Sequence, residues 1–254
     1  MSKEHPILFS GPMVRAILDG KKTQTRRIVK PQPTAEVLWD DKEGAWYREE
    51  PEHYNGHDRQ FALMTCPYGS PGDRLWVRET WNGIQEWTEH GKRLRDNLGR
   101  KPIHGDILAY KATAKFPDEI TWRPSIFMPR WASRITLEIV SVKVERLQDI
   151  SEEDAKAEGL ATVTKDGTLW KWGIPDSDGL PGNDNTGWHW HEWERDPRAA
   201  YRKLWESING PGSWDANPWV WVVEFKKAVP LVVNSDRTDE MLDEIAEGRV
   251  FPDV

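Results

Sequence analysis

A single cysteine, Cys66, in 254 residues leaves no partner for an internal disulfide and no thiolate set for a Cys-based zinc cage. No apolar run is long enough to span a membrane, and 30 % charged residues with a mean hydropathy of −0.75 set the chain far from that class. Residues 1–6 lack the apolar stretch of a secretory signal. Also lacking are a glycine-rich phosphate loop ending in Lys-Ser/Thr, a Gly-x-Gly-x-x-Gly fingerprint and a Gly-x-Ser-x-Gly elbow. These absences remove the P-loop, dinucleotide-binding and α/β-hydrolase readings. A soluble, cytoplasmic chain without membrane contact is expected.

What is present can build a core. Apolar residues are 37 %, and the 18 prolines and 19 glycines stay well below the about 25–30 % of low-complexity chains. Tryptophan is abundant, at 16 residues. The net charge of −7 is unevenly spread. Much of it lies in the tail, where Asp236, Asp239, Glu240, Asp243, Glu244, Glu247 and Asp253 face only Arg237 and Arg249. Near the start the sign reverses, with Arg15, Lys21, Lys22, Arg26, Arg27 and Lys30 against Asp19 alone. A local positive field can serve an anionic partner whatever the overall charge, and it can equally be a solvated face.

Periodicity gives a coarse map. Ser10 as N-cap, Pro12 in the first turn and Val14, Ile17 and Leu18 on one face predict a short helix ended by Gly20. Residues 21–29 alternate like a strand. Residues 31–70, 82–105 and 161–195 read as long insertions, irregular and polar. A Pro-Gly-Asp turn opens a strand that places Leu75, Val77 and Glu79 on one side. Ile135, Leu137 and Ile139, then Val142, Val144 and Leu147, alternate with a phase slip near Val140 and Ser141 that predicts a bulge. Ser151 caps a helix closed by Gly159, and a second helix over about 196–209 carries Ala200, Leu204, Trp205 and Ile208 on one face. Residues 217–225 form a last strand, and residues 238–247 an acidic amphipathic helix. The expected class is mainly β with short helices (α+β), a small closed or half-open barrel over residues 1–228 with an acidic tail at 229–254.

Candidate chemistry is sparse. His53 and His57, and His189 and His191, lack the ligands that a zinc site needs, so no metal and no cofactor are expected. Trp76, Trp131, Trp205, Trp219 and Trp221 sit at core spacing. Trp170, Trp172, Trp188, Trp190 and Trp193 stand beside Lys171, His189 and His191, an arrangement open to either base stacking or packing. Lys22, Thr25 and Arg27 share a helix-to-strand junction. A lysine there becomes a usable base on burial, and a threonine hydroxyl beside it can attack or hold a water. On spacing alone, a surface strand with basic side chains reads as well.

The junction Gly20-Lys-Lys-Thr-Gln-Thr-Arg-Arg27, the turn and strand Pro71-Gly-Asp-Arg-Leu-Trp-Val77, and the helix Ser151-Glu-Glu-Asp-Ala-Lys-Ala-Glu-Gly159 together resemble the ASCH domain of the PUA-like superfamily. The segment from Trp122 to Gly159 and Asn217-Pro-Trp-Val-Trp221 resemble, more specifically, uncharacterised ASCH proteins of tailed phages and prophages. The resemblance covers about half the chain and leaves the insertions and the tail outside it. It implies a PUA-like small β-barrel, RNA or a modified nucleoside as partner, and a host-cell cytoplasmic setting if the chain is phage-encoded. One bacterial branch of the family, the N4-acetylcytidine amidohydrolase, uses a Lys, a Thr and a Glu, which fall on Lys22, Thr25 and Glu158. The implied roles are Lys22 as base, Thr25 as nucleophile or water holder, and Glu158 as the group that serves the leaving amine. Arg27, whose fixed fork suits the oxyanion or a neighbouring polar edge, joins Thr23, Arg26 and Trp76 as expected substrate-binding residues. The competing expectation is a non-enzymatic phage accessory protein that binds a host or viral protein through its Trp-rich insertions and acidic tail.

Overall fold

A computed structural model describes residues 2–50, 61–84, 107–114, 121–182 and 187–228. Chain order runs β1 (Glu4–Leu8), α1 (Gly11–Leu18), β2 (Gln24–Ile28), β3 (Val37–Asp40), β4 (Ala45–Glu49), β5 (Phe61–Met64), β6 (Arg74–Arg78), β7 (Trp81–Ile84) and β8 (Ile107–Tyr110). It continues with β9 (Thr136–Arg146), α2 (Glu152–Ala157), β10 (Ala161–Thr164), β11 (Trp170–Gly173), α3 (Pro197–Asn209) and β12 (Trp219–Lys227). The fold is mainly β with few helices and several sheets.

The central sheet has the order β1-β6-β9-β12-β2, with β1 parallel to β6 and the other pairs antiparallel. Its middle is legible in side-chain chemistry. Val220, Trp221, Val222 and Val223 are buried in succession, so both faces of β12 are covered and its apolar run need not alternate. On β9, Leu137 and Ile139 are buried, and so is Val144 further along. Between them the ladder pairs Ser141 with Glu224 but Ile139 with Phe225. Val140 is the extra residue, 51 % exposed, which is the bulge that the phase slip predicts. Each fully buried Leu, Ile or Val contributes about 1.5–3 kcal/mol.

Several expectations are corrected. The sheet is not closed into a barrel among the described residues, since β1 and β2 remain its two edges. The insertion at 31–70 is not irregular, because β3, β4 and β5 form an antiparallel sheet of their own. Its first turn is built by Asp40, whose carboxylate accepts from the Lys42 and Glu43 amides, with Gly44 at φ +61°. The insertion at 161–195 likewise contains a hairpin, β10–β11. Trp193, expected in loop sequence, is buried beneath it, so close to Gly173 that a β-carbon there would stand 2.5 Å from its ring. Strand β1, unforeseen, pairs along its whole length with β6. The acidic tail, His53, His57 and most of the 82–105 insertion lie outside the described residues.

Candidate functional site

Two helix endings meet to make the site. Helix α1 stops at Asp19, and Gly20 turns the chain at φ +73° so that the amides of Lys21 and Lys22 both reach back to the Ala16 carbonyl. Helix α2 is capped by the Ser151 hydroxyl and ends on Glu158, with Gly159 at φ +99°. The Thr23 amide donates to the Ala157 carbonyl at 2.9 Å and fixes one ending against the other. Gly159 is needed at this contact: a β-carbon there would lie 3.0 Å from that of Lys22 and 3.1 Å from that of Ala16.

Lys22 and Glu158 are consequently buried side by side, though 136 residues apart in the chain. The Lys22 ammonium donates to Glu158 Oε2 at 2.9 Å, to the Glu158 carbonyl at 2.7 Å and to the Gln24 carbonyl at 2.8 Å. All three of its donors are used. Burial pulls its pKa below the ordinary lysine value, and the neighbouring Glu158 carboxylate opposes that shift. An acid at a helix C-terminus is unfavourable on its own, and the Lys22 cation at that same end answers both the carboxylate and the helix dipole.

Arg26 occupies the other side of the carboxylate. It donates to Glu158 Oε1 at 3.2 Å, to Glu145 Oε1 at 2.6 and 3.0 Å, and to Asp154 Oδ2 at 3.1 Å. Three carboxylates from β9, α2 and the α2 end thus converge on one wholly buried guanidinium. Glu158 is held by a cation on each oxygen.

A cleft of about 570 Å³ opens over this cluster. Leu8 at the end of β1, with Phe9 and Ser10 just beyond it, lines one side, and Thr25, Arg26, Arg27 and Ile28 of β2 line another. The cleft is therefore the gap between the two edges of the central sheet. A side chain bridges that gap: Arg27 donates to the Leu8 carbonyl at 2.8 Å and stands 5.4 Å above the Phe9 ring. Helix α3 supplies the third wall through Tyr201, Leu204, Trp205 and Ile208. The Thr25 side chain is buried and makes no hydrogen bond among the described residues. The Tyr201 phenol is likewise without a hydrogen bond there; burial lifts its pKa well above the ordinary tyrosine value, and Glu158 adds to the rise.

Of the residues singled out from sequence, the structure brings Lys22, Thr25, Arg26, Arg27 and Glu158 to one cleft. It leaves two outside. Thr23 is exposed and does not line the cleft, and Trp76 on β6 packs beneath the Arg78 guanidinium at 5.3 Å. The loop tryptophans do not line the cleft either. Lys156 covers Trp172, Lys165 and Lys171 flank Trp190 at 4.4 and 5.1 Å, and Lys203 covers Trp188. His189 and His191 stack at 5.7 Å, and no group of His, Cys, Asp or Glu among the described residues could hold a metal ion. Sequence reasoning missed Phe9, Tyr68, Tyr201, Glu145 and Asp154. Tyr201, Trp205 and Ile208 do follow a helical stripe, and the 60 % exposure of Ile208 marks where that stripe leaves the core for the cleft.

Comparison with protein-family models, with curated proteins and with solved structures finds no match to this chain. Its functional reading therefore stands on the motif residues and the geometry of the cleft.

Proposed function

We propose that this chain is an ASCH-type, PUA-like protein whose cleft takes an N4-acylated cytidine and hydrolyses the amide, with Lys22, Thr25 and Glu158 as the reacting groups. The observation that supports this reading most is the 2.9 Å contact between Lys22 Nζ and Glu158 Oε2 in the wall of a cleft that Thr25 also lines.

In the resting arrangement Lys22 is a donor three times over and cannot accept a proton. Its route to acting as a base runs through the partner it already touches. A proton passes from the ammonium to Glu158 Oε2, leaving a neutral amine that burial favours. The amine takes the proton of the Thr25 hydroxyl, or of a water beside it, as that oxygen attacks the acyl carbon. The C–N bond then breaks, and the proton on Glu158 goes to the departing N4 of cytosine. When Thr25 is the nucleophile, a water releases the acyl group from it in a second, equivalent step. Arg26 is a positioning residue that keeps Glu158 turned toward Lys22.

Incubation of the purified protein with N4-acetylcytidine tests the reading, with cytidine followed by chromatography. Conversion is expected from the wild type, and a loss of about 10²–10⁴-fold from Lys22→Met and Thr25→Ala, the scale of a lost base or nucleophile. Circular dichroism of each variant separates lost chemistry from lost folding. No cytidine at high enzyme concentration sinks the hydrolase reading.

A further inference from the structure

Among the described residues, four cationic side chains line the cleft: Lys22, Arg26, Arg27 and Lys30. They divide sharply by what they already hold. Lys22 has three acceptors and Arg26 has three carboxylates, so neither has charge to spare for a ligand. Arg27 uses one of its five N–H groups, on the Leu8 carbonyl, and meets no carboxylate among the described residues. Lys30, exposed and three residues further along, makes no hydrogen bond or ion pair among them. Among the described residues the only carboxylate lining the cleft is Glu158, and both its oxygens are taken. The floor is neutralised, whereas the mouth carries two positive charges that meet no counter-charge among the described residues.

We infer that Arg27 and Lys30 form a phosphate subsite at the mouth of the cleft, so that its ligand is a nucleotide, free or within an RNA strand, rather than a bare nucleoside. The inference rests on the nucleoside reading above and names its substrate class. A planar fork and a compact ammonium lining the same cleft match phosphate, the fork giving paired hydrogen bonds and the lysine a point charge. Arg27 is held for this purpose by the Leu8 carbonyl and the Phe9 ring, which reduces the freedom lost on binding. Leu8, 43 % exposed, places that anchor at the rim. Deeper in, Phe9, Tyr68 and Trp205 offer aromatic walls to a base. The volume lies in the usual range for small-molecule sites, roughly 300–1,000 Å³. This gives Arg27 the phosphate in place of the oxyanion or neighbouring polar edge expected from its fork.

Calorimetric titration of the intact chain with cytidine, cytidine 5′-monophosphate and a short oligocytidylate tests the subsite without any turnover. The monophosphate is expected to bind roughly tenfold tighter than cytidine, the scale of one charge-assisted contact. That gap should narrow in Lys30→Ala and in Arg27→Gln and fall steeply with salt, while Lys21→Ala, a neighbouring cation paired with Asp19, retains it. Because Lys30 is exposed, its variant reports even if Arg27→Gln folds poorly. An oligomer that outbinds the monophosphate assigns the phosphate to an RNA strand, and the reverse order assigns it to a free nucleotide. Equal affinity for cytidine and its monophosphate, or a gap that survives both substitutions, overturns the subsite. A monophosphate preference without hydrolysis of N4-acetylcytidine keeps the subsite and sinks only the hydrolase.

Discussion

Glu158 is the residue on which the cluster turns, and its substitutions separate charge from shape. Glu158→Gln keeps the volume but leaves the Lys22 and Arg26 cations facing each other without the charge between them. Removing one member of a buried ion pair typically costs about 3–5 kcal/mol, so a fall in stability of about that size is expected in urea unfolding. Lys22→Met is milder, because Glu158 retains Arg26. The double variant should cost less than the two single changes added together, by roughly 0.5–3 kcal/mol, since the second change relieves what the first exposed. Additive losses would mean that the pair is not coupled. Arg26→Lys keeps the charge yet cannot reach three carboxylates, and a loss of about 2 kcal/mol is expected from its missing charged hydrogen bonds. Part of this was legible in the sequence. Lys22, Thr25 and Glu158 stand in motifs, and an acid against the helix dipole already singles out Glu158. Glu145 and Asp154 were not legible, because only the pairing register and the helix placement bring them to Arg26.

Elements whose caps and periodicity agree were the ones legible in sequence. Ser10, Gly20, Ser151 and Gly159 bound α1 and α2 where the residue chemistry puts them, although the Ser10 side chain makes no capping hydrogen bond. Short hairpins escaped because four-residue strands show too few alternations, and their turn residues read as loop. The β10–β11 turn illustrates this. Asp166 accepts from the Thr168 and Leu169 amides, and those bonds pull its carboxyl down to about 2. A carboxyl with a depressed folded pKa stabilises above its unfolded value, near 3.9, and that contribution fades as pH falls toward about 2. Asp166→Ala should thus lower the urea midpoint at pH 6, with the difference from wild type shrinking by pH 3. A difference unchanged across that range would remove the carboxylate as its cause. At the other helix-to-strand junction, Gly159→Ala forces a β-carbon against Lys22 at a positive φ, and a cost of at least about 1 kcal/mol is expected.

The whole molecule places its buried charge cluster and cleft where the central sheet stays open among the described residues. A sequence can announce strands, but which two become edges is decided by pairing between residues far apart, and so the cleft between β1 and β2 could not be read from β2 alone. Strand β1 lacked a signal because His5 and Pro6 interrupt its five residues, and its pairing with β6 supplies what its composition does not. Helix α3 then roofs the opening with residues that look, from their spacing, like ordinary core. Cys66 gives a way to watch this assembly open. It packs against the central core, just after β5 and two residues before the cleft-lining Tyr68, and burial pushes its thiol up to about 11. At pH 8 the thiolate, the form that reacts with a disulfide reagent, is then only about one part in a thousand of the folded protein. An unfolded cysteine, with a pKa near 8.5, is about a quarter thiolate at that pH. Modification of Cys66 by an aromatic disulfide should therefore be slow in buffer and accelerate by two orders of magnitude or more through the urea transition, following the same midpoint as tryptophan emission. A thiol that reacts fully before that midpoint would show that β5 and the cleft wall beside it open apart from the central sheet, and one that reacts as fast in buffer as in urea would show that the wall is not packed at all.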